Sequence, residues 1–429
     1  MKLVSNFVQN TSRFVWVTVL FSPLFAQRAD QAPGQSEPVK IVVSVNAVLV
    51  PTVVRDSHGH AVGNLKQEDF QIFDKNKPQP ITGFSVQKRA LGQTANMNAE
   101  SAKEKPAAAV TPGAAVTTPE RFIVFLIDNM HMSNGDLIEI QKAATKMIDT
   151  SLSNSDVAAV VSMSGTSSGL TQDRTRLQDA IAKLQVQNLY RKVGRSCPNI
   201  DYYEADRIQN KHDPMATDAA IQNTMSCCDC AKPVAQTMVE EAAGRALQIG
   251  DADVHATLSL IRNIVGKMAT MPGQRILVLV SPGFLTISAE ALRERSQLLD
   301  SAAQSQVTIS AMDARGLYTT ASTASNGGVG TARQLRSEAQ YQSESMVLNE
   351  DVMSELADGT GGTYFHNSND LIGGFQSLTA TPEYVYLLEM SLQNGKQDGA
   401  YHQLKVKVND GSLRVQARRG YFAPKRSKK

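Results

Sequence analysis

Residues 121–128, RFIVFLID, form a short, nearly unbroken apolar run ending in an acid. A strand that is apolar on every residue is buried on both faces, as central strands of parallel sheets are. Working outward, Leu137, Ile140, Ala144, Met147 and Ile148 follow at helical spacing, and Asp156–Met163 reads as a second strand. Leu177, Ala180, Ile181 and Leu184 mark a second helix, and a long helical pattern runs from about Val234 to Ala269, with a break suggested at Gly250. Strand patterns at Arg275–Val280, Val307–Asp313 and Thr363–His366 alternate with helical ones at Ala289–Ala303 and Leu348–Ala357. Such alternation predicts an α/β fold, a doubly wound, Rossmann-like parallel sheet with helices on both faces, over residues 120–380. An insertion carrying every cysteine spans about 186–233.

Both flanks have β character. Residues 38–88 predict a small β unit: a strand to about Val54, a turn at Asp56-Ser57-His58-Gly59-His60, then short strands around Phe70–Phe73 and Ile81–Val86. His58 and His60, on a turn with Gly and Asp, read as solvated side chains rather than metal ligands. Residues 89–119 are rich in Ala, Thr, Pro and Gly and poor in large apolar side chains, so they predict a flexible linker. Residues 381–423 predict three more strands, Tyr384–Leu392, His402–Val408 and Leu413–Arg419, with Asn409-Asp410-Gly411 as a hairpin turn. Three or four strands at either end are marginal alone, so the two ends are expected to pack on one another or on the α/β domain.

The chain carries 43 Lys and Arg against 41 Asp and Glu in 429 residues. No basic stripe stands out, which argues against nucleic acid as a partner. Residues 1–26 read as a signal peptide: Lys2 and Arg13 precede a run from Phe14 to Ala26 that is too short to span a bilayer. Losing those two cations would leave 41 charges of each sign. No later segment reads as a membrane span, so the expected location is exported, periplasmic or extracellular. The cysteines agree with export. Cys197, Cys227, Cys228 and Cys230 make an even count, which in an oxidising compartment reads as two disulfides. Adjacent Cys227 and Cys228 are poor partners, so Cys197 is expected to close a loop onto the cluster. A four-thiolate zinc site and free thiols are the rival readings, and the spacing lacks the paired C-x-x-C of zinc ribbons.

Several stretches resemble a von Willebrand factor type A (vWA) domain: RFIVFLIDNMHMS (121–133), SDVAAVVSMSG (155–165), GLTQDRTRLQDAIAKL (169–184), PGQRILVLVSPGF (272–284) and LADGTGGTYF (356–365). More narrowly, the chain is similar to the exported acidobacterial vWA-related proteins. The similar stretches are VVRDSHGHAVGNLKQEDFQIFDKNKPQPITGF (53–84), AMDARGL (311–317) and YHQLKVKVNDGSLRVQARRGYF (401–422). The resemblance implies binding of a protein or matrix partner, often through Mg²⁺ held at the C-terminal edge of the sheet.

The pattern that holds such an ion departs from the family's here. The first loop, D-x-S-x-S in the family, keeps Asp128 but has Met130 and Met132 at the serine positions. Thioether sulfur is a poor ligand for a hard ion. The family's T-D-G reads Ser281-Pro282-Gly283, and the threonine loop between them finds no counterpart. Asn129, Ser133, Asp136, Ser162 and Ser164 could supply replacement oxygens. The expectation is therefore a degenerate metal-ion-dependent adhesion site, with no cofactor and Asp128 as the one residual ligand candidate. A partner-binding edge is then expected from Asp128, Met130, His131, Met132, Ser133, Ser164, Ser281, Asp313 and Arg315, with the methionines and His131 exposed. Alternatively Met130 and Met132 fill the core and Asp128 caps the next helix, while Asp313 and Arg315 pair internally.

No H-E-x-x-H, P-loop or dinucleotide fingerprint is present. Gly165-Thr166-Ser167-Ser168-Gly169 matches G-x-S-x-G after a strand, but Leu170-Thr171-Gln172-Asp173 intervenes before the helix. A hydrolase built on Ser167 with His131 or His366 is the weaker reading, and a structural component of the cell envelope is another. The expected function is a non-catalytic, adhesion-type interaction module.

Overall fold

The computed structural model describes residues 47–57, 60–88, 121–187, 197–317, 332–379, 384–392 and 398–423. The expected leader, the linker and residues 58–59 of the first turn lie outside the described residues.

At the N-terminal end come β1 (Ala47–Arg55), β2 (Phe70–Asp74), β3 (Lys77–Gln79) and β4 (Ile81–Lys88). The chain then alternates: β5 (Arg121–Ile127), α1 (Asn134–Ser151), β6 (Asp156–Ser162) and α2 (Arg174–Ala182). The cysteine-bearing insertion folds as α3 (Tyr202–Gln209) and α4 (Pro214–Cys228), followed by the long α5 (Lys232–Met268). Alternation resumes with β7 (Gln274–Ser281), α6 (Ala289–Gln304), β8 (Val307–Asp313), α7 (Ala332–Asp358), β9 (Tyr364–Phe365) and α8 (Leu371–Thr379). The last strands are β10 (Tyr384–Ser391), β11 (Tyr401–Val408), β12 (Arg414–Ala417) and β13 (Gly420–Phe422).

The central sheet is parallel throughout, in the order β6-β5-β7-β8-β9. From β5 the chain crosses to β6 on one side, then returns across to β7 on the other. The order thus reverses between β5 and β7, the kind of point where open α/β sheets bind ligands beyond their strand ends. Helices α1, α2 and α8 pack Leu137, Ile140, Leu177 and Phe375 on one face. Helices α5, α6 and α7 pack Leu258, Ile261, Leu298 and Leu356 on the other. Fully burying each such side chain contributes about 1.5–3 kcal/mol, so the apolar run of β5, covered on both faces, is the energetic centre of this layer.

The strands of the two ends share sheets. One has the order β12-β1-β10-β4 and the other β13-β11-β2-β3, and both bury their apolar side chains in a common core around Val50, Ile72, Tyr386 and Leu404. Antiparallel pairing runs from Ala47↔Ser391 to Thr52↔Tyr386 and from Leu404↔Asp74 to Val408↔Phe70. The hairpin expected at Asn409-Asp410-Gly411 does not form as such. β11 lies in one sheet and β12 in the other, so this turn carries the chain between layers. Asp410 Oδ1 accepts the Ser412 N–H at 2.9 Å, and the Asn409 N–H bonds the Asp69 carbonyl, which fixes a reversal but not a pairing partner.

Arg418, 1% exposed, fastens the β layers to the α/β part. Its guanidinium pairs with Asp300 of α6, bonds Ser296 Oγ at 3.3 Å and donates to the Gly420 carbonyl at 2.9 Å. Arg419 adds bonds of 2.8 Å to Asp351 and 3.0 Å to Ser354 on α7.

Helix α5 runs unbroken for 37 residues, so the break suggested at Gly250 is absent. The glycine serves packing instead. A Cβ there would sit 2.1 Å from Cδ2 of Tyr202, whose hydroxyl donates to Asp251 at 2.6 Å. Helix propensity alone favours Gly250→Ala by about 1 kcal/mol, whereas forcing an aromatic ring out of register costs about 1–3 kcal/mol. The clash is the larger effect, so Gly250→Ala is predicted to lower stability in chemical denaturation. A stabilised variant would contradict the packing account.

Candidate functional site

β5 ends at the switch point, and the next residue, Asp128, continues the ladder by donating its N–H to the Val280 carbonyl at 2.9 Å. Its side chain is completely buried. Ser281 at the end of β7 donates its hydroxyl to Asp128 Oδ2 at 2.6 Å and accepts the Gly283 N–H at 3.0 Å. Gly283 adopts φ +95°, and a Cβ would lie 2.8 Å from Asn349, so only glycine fits this turn. Asp128 Oδ1 also accepts the backbone N–H groups of Met130 at 3.2 Å and His131 at 3.0 Å. The chain therefore folds back around its own carboxylate.

The His131 ring closes the arrangement. Nδ1 lies 2.9 and 2.8 Å from the two oxygens of Asp128, and Nε2 lies 2.6 Å from Asp253 Oδ2 on α5. A neutral imidazole offers one N–H and one lone pair, whereas the charged ring donates from both nitrogens. Two carboxylates, one at each nitrogen, thus select the imidazolium. Burial opposes the charged ring, but hydrogen bonds to Asp128 and Asp253 and their negative charge outweigh it and raise the pKa to about 10.

The other expected residues separate into distinct roles. Asn129 is buried and ties this loop to the one after β6: its amide donates to Ser164 Oγ at 2.8 Å and the Gln185 carbonyl at 2.7 Å. Ser164 is exposed at that junction, with Ser162 Oγ 3.0 Å away. Ser133 and Asp136 form a capping box at the start of α1, each side chain taking up the other's backbone N–H. Ser133 is thus a helix cap, and the capping role imagined for Asp128 belongs to it. Met132, read from the sequence either as part of an exposed edge or as core filler, lies fully buried in the core with Ile127 and Leu137. Met130 is half-buried. Asp313 and Arg315 form a bidentate pair, with bonds of 2.9 Å from Nε and 2.7 Å from Nη2, and Asp313 is buried.

Ser167 lies apart from His131 chemically. Its segment returns antiparallel along β6 through Ala158↔Thr171 and Val161↔Ser167, and its Oγ accepts the Gly169 N–H at 3.1 Å. A strand-to-helix elbow is not what this stretch makes; α2 starts later, capped by Asp173. Both ring nitrogens of His131 face carboxylates, and the His366 ring stacks on Tyr364.

In the insertion, Cys197 pairs with Cys227 and Cys228 with Cys230, so all four sulfurs are consumed as disulfides. No helix among the described residues is long and apolar enough to cross a membrane. Nor is any group of three or more His, Cys, Asp or Glu among them arranged to hold a metal ion. The side chains at the switch point do not fit a hard divalent ion either. Met132 points into the core, Pro282 follows Ser281 with no acid beside it, and an imidazole lies against the Asp128 carboxylate.

Asp253 was not signalled by the sequence. It sits in a polar stretch of a long helix, 125 residues beyond Asp128, and only the tertiary fold brings it to His131.

No family model matches the chain, and no curated protein matches it. Among solved structures, the pilus adhesin SpaC from Lactobacillus rhamnosus GG, in its open conformation, is similar over 83% of this chain with 7% identity and a TM-score of 0.26. The match spans about half, 48%, of that structure's length. A likeness at this score carries no argument about fold or function.

The charged ring contributes stability that is fully present below the ordinary imidazole range and is lost as pH rises through about 10. Nitrogen NMR at about pH 8 should find protons on both ring nitrogens of His131. A neutral tautomer at that pH would contradict the assignment.

Proposed function

We propose that this chain is an exported, non-catalytic interaction module of the vWA-related kind, with a degenerate metal-ion-dependent adhesion site. Its binding face is the edge formed by the loops after β5, β6, β7 and β8. The observation that carries this reading is the convergence of those loops on a switch point whose polar groups are already satisfied internally. A buried carboxylate with every lone pair engaged positions loops well but offers little to a substrate.

Around this fixed centre stand side chains suited to contact. Leu317, just past β8, is 57% exposed. Ile249 is also exposed and lies one turn before Asp253 on the same face of α5. Met130 and Ser164 complete the rim. Ser164 and Leu317 follow β6 and β8, three strand spacings or about 14 Å apart at the sheet edge, and Ile249 on α5 extends the patch beyond the sheet. The partner is a protein or matrix component, and export agrees with the two disulfides of the insertion.

The test is quantitative cross-linking capture from envelope extracts with Ile249→Asp combined with Leu317→Asp. Capture of the partner is predicted to fall about tenfold or more, while Val86→Asp on the β layers leaves it unchanged. Equal capture by the double variant, or loss with Val86→Asp alone, would move the interface to the β layers and favour a structural role in the envelope.

A further inference from the structure

The contacts of His131 ask why a buried carboxylate at a sheet edge should be matched by an imidazole from its own loop. Asp128 has no exposed surface, and an ionised carboxylate in that state needs a cation or a full set of donors. Two backbone N–H groups and the Ser281 hydroxyl supply neutral donors. The positive charge comes from the ring, which also reaches Asp253.

We propose that the His131 ring is a built-in cation. It fills the place between Asp128 and Asp253 that a divalent ion would otherwise take, so the edge is set without metal. A divalent ion binds there only when the ring is removed. The inference stands on these contacts alone and holds whether or not the edge binds a partner.

Charge and ligand chemistry support it. With the ring in place, two carboxylates and one imidazolium leave a single negative charge, too little to draw a hard ion from water. Both nitrogens are spent as donors, so neither offers a lone pair to a metal. With the ring gone, the carboxylates of Asp128 and Asp253 face each other across a space the size of the lost imidazole, so an ion held by one reaches the other through a coordinated water. That pair matches the charge of Mn²⁺ or Mg²⁺ and their preference for oxygen, with water completing the shell.

The same ring is also a mechanical link. Asp253 lies on the helix whose N-terminal half carries the disulfide-bearing insertion: Ala235, Val239 and Ala243 of α5 pack there with Tyr203, Ile208 and Ile221 of α3 and α4. The imidazolium therefore fastens that helical unit to the end of β5. A bound ion in a ring-less variant would restore the same link through the same two carboxylates.

The experiment is thermal unfolding of the full chain with Mn²⁺, Mg²⁺ or EDTA, for the wild type, His131→Ala, His131→Asn and His131→Ala combined with Asp128→Asn. The wild type is predicted to show no shift with either ion or with EDTA. His131→Ala is predicted to melt lower and to regain stability with Mn²⁺, with an affinity about tenfold or more above that of the wild type. The added Asp128→Asn should abolish that gain. His131→Asn, which retains a polar side chain, guards against simple collapse of the site and should respond to Mn²⁺ in the same direction. A wild-type protein stabilised by Mg²⁺ or Mn²⁺ through Asp128 would overturn the inference. So would ring-less variants that stay unfolded or unresponsive with Mn²⁺. A failed partner capture would leave these outcomes untouched, so the two readings fail separately.

Discussion

A buried carboxylate at the reversal point of a parallel sheet must be neutralised, and that requirement organises the site. Asp128 sits where β5 ends, is fully buried, and is enclosed by two backbone N–H groups, the Ser281 hydroxyl and the His131 ring. Losing one partner of such a pair leaves an uncompensated buried charge, at a cost of about 3–5 kcal/mol. The ring reaches Asp253 with its far nitrogen, so the same requirement holds α5 against the loop. Two elements far apart in sequence are thereby joined by one side chain.

The β layers depend on a comparable contact. The two chain ends share sheets, and Arg418 buries its guanidinium between those sheets and α6. Arginine suits this place because its planar fork bonds several acceptors at once while its stem packs as an apolar chain. A second buried polar group, His402, lies 2.9 Å from Asp74, which also accepts the Tyr421 hydroxyl at 3.0 Å. That network spans β2, β11 and β13, strands supplied by both ends of the chain.

Local pattern made much of the fold legible. The uniform apolarity of RFIVFLID identified a strand covered on both faces, and helical spacing located most of the flanking helices to within a few residues. Features that local pattern does not encode were missed. Asn409-Asp410-Gly411 has the chemistry of a reversal, but turn chemistry does not choose between a hairpin and a crossing between sheets. Gly250 reads as a helix breaker, yet its missing Cβ makes room for Tyr202. Helix α8 carries two adjacent glycines that obscured its apolar spacing. At the site, Asp128, Ser281 and the Asp313–Arg315 pair were legible because each sits at a strand end. For Met132 the sequence left an exposed edge and a core position both open, and the fold takes the core one; Asp253 was invisible because nothing near it in sequence marks its partner.

The most direct test of this account is a crystal structure of the wild-type protein grown with Mn²⁺ at neutral pH. The predicted result is a flat imidazole between the carboxylates of Asp128 and Asp253, with no anomalous peak there. A manganese peak bound to Asp128, with the His131 side chain displaced, would contradict it.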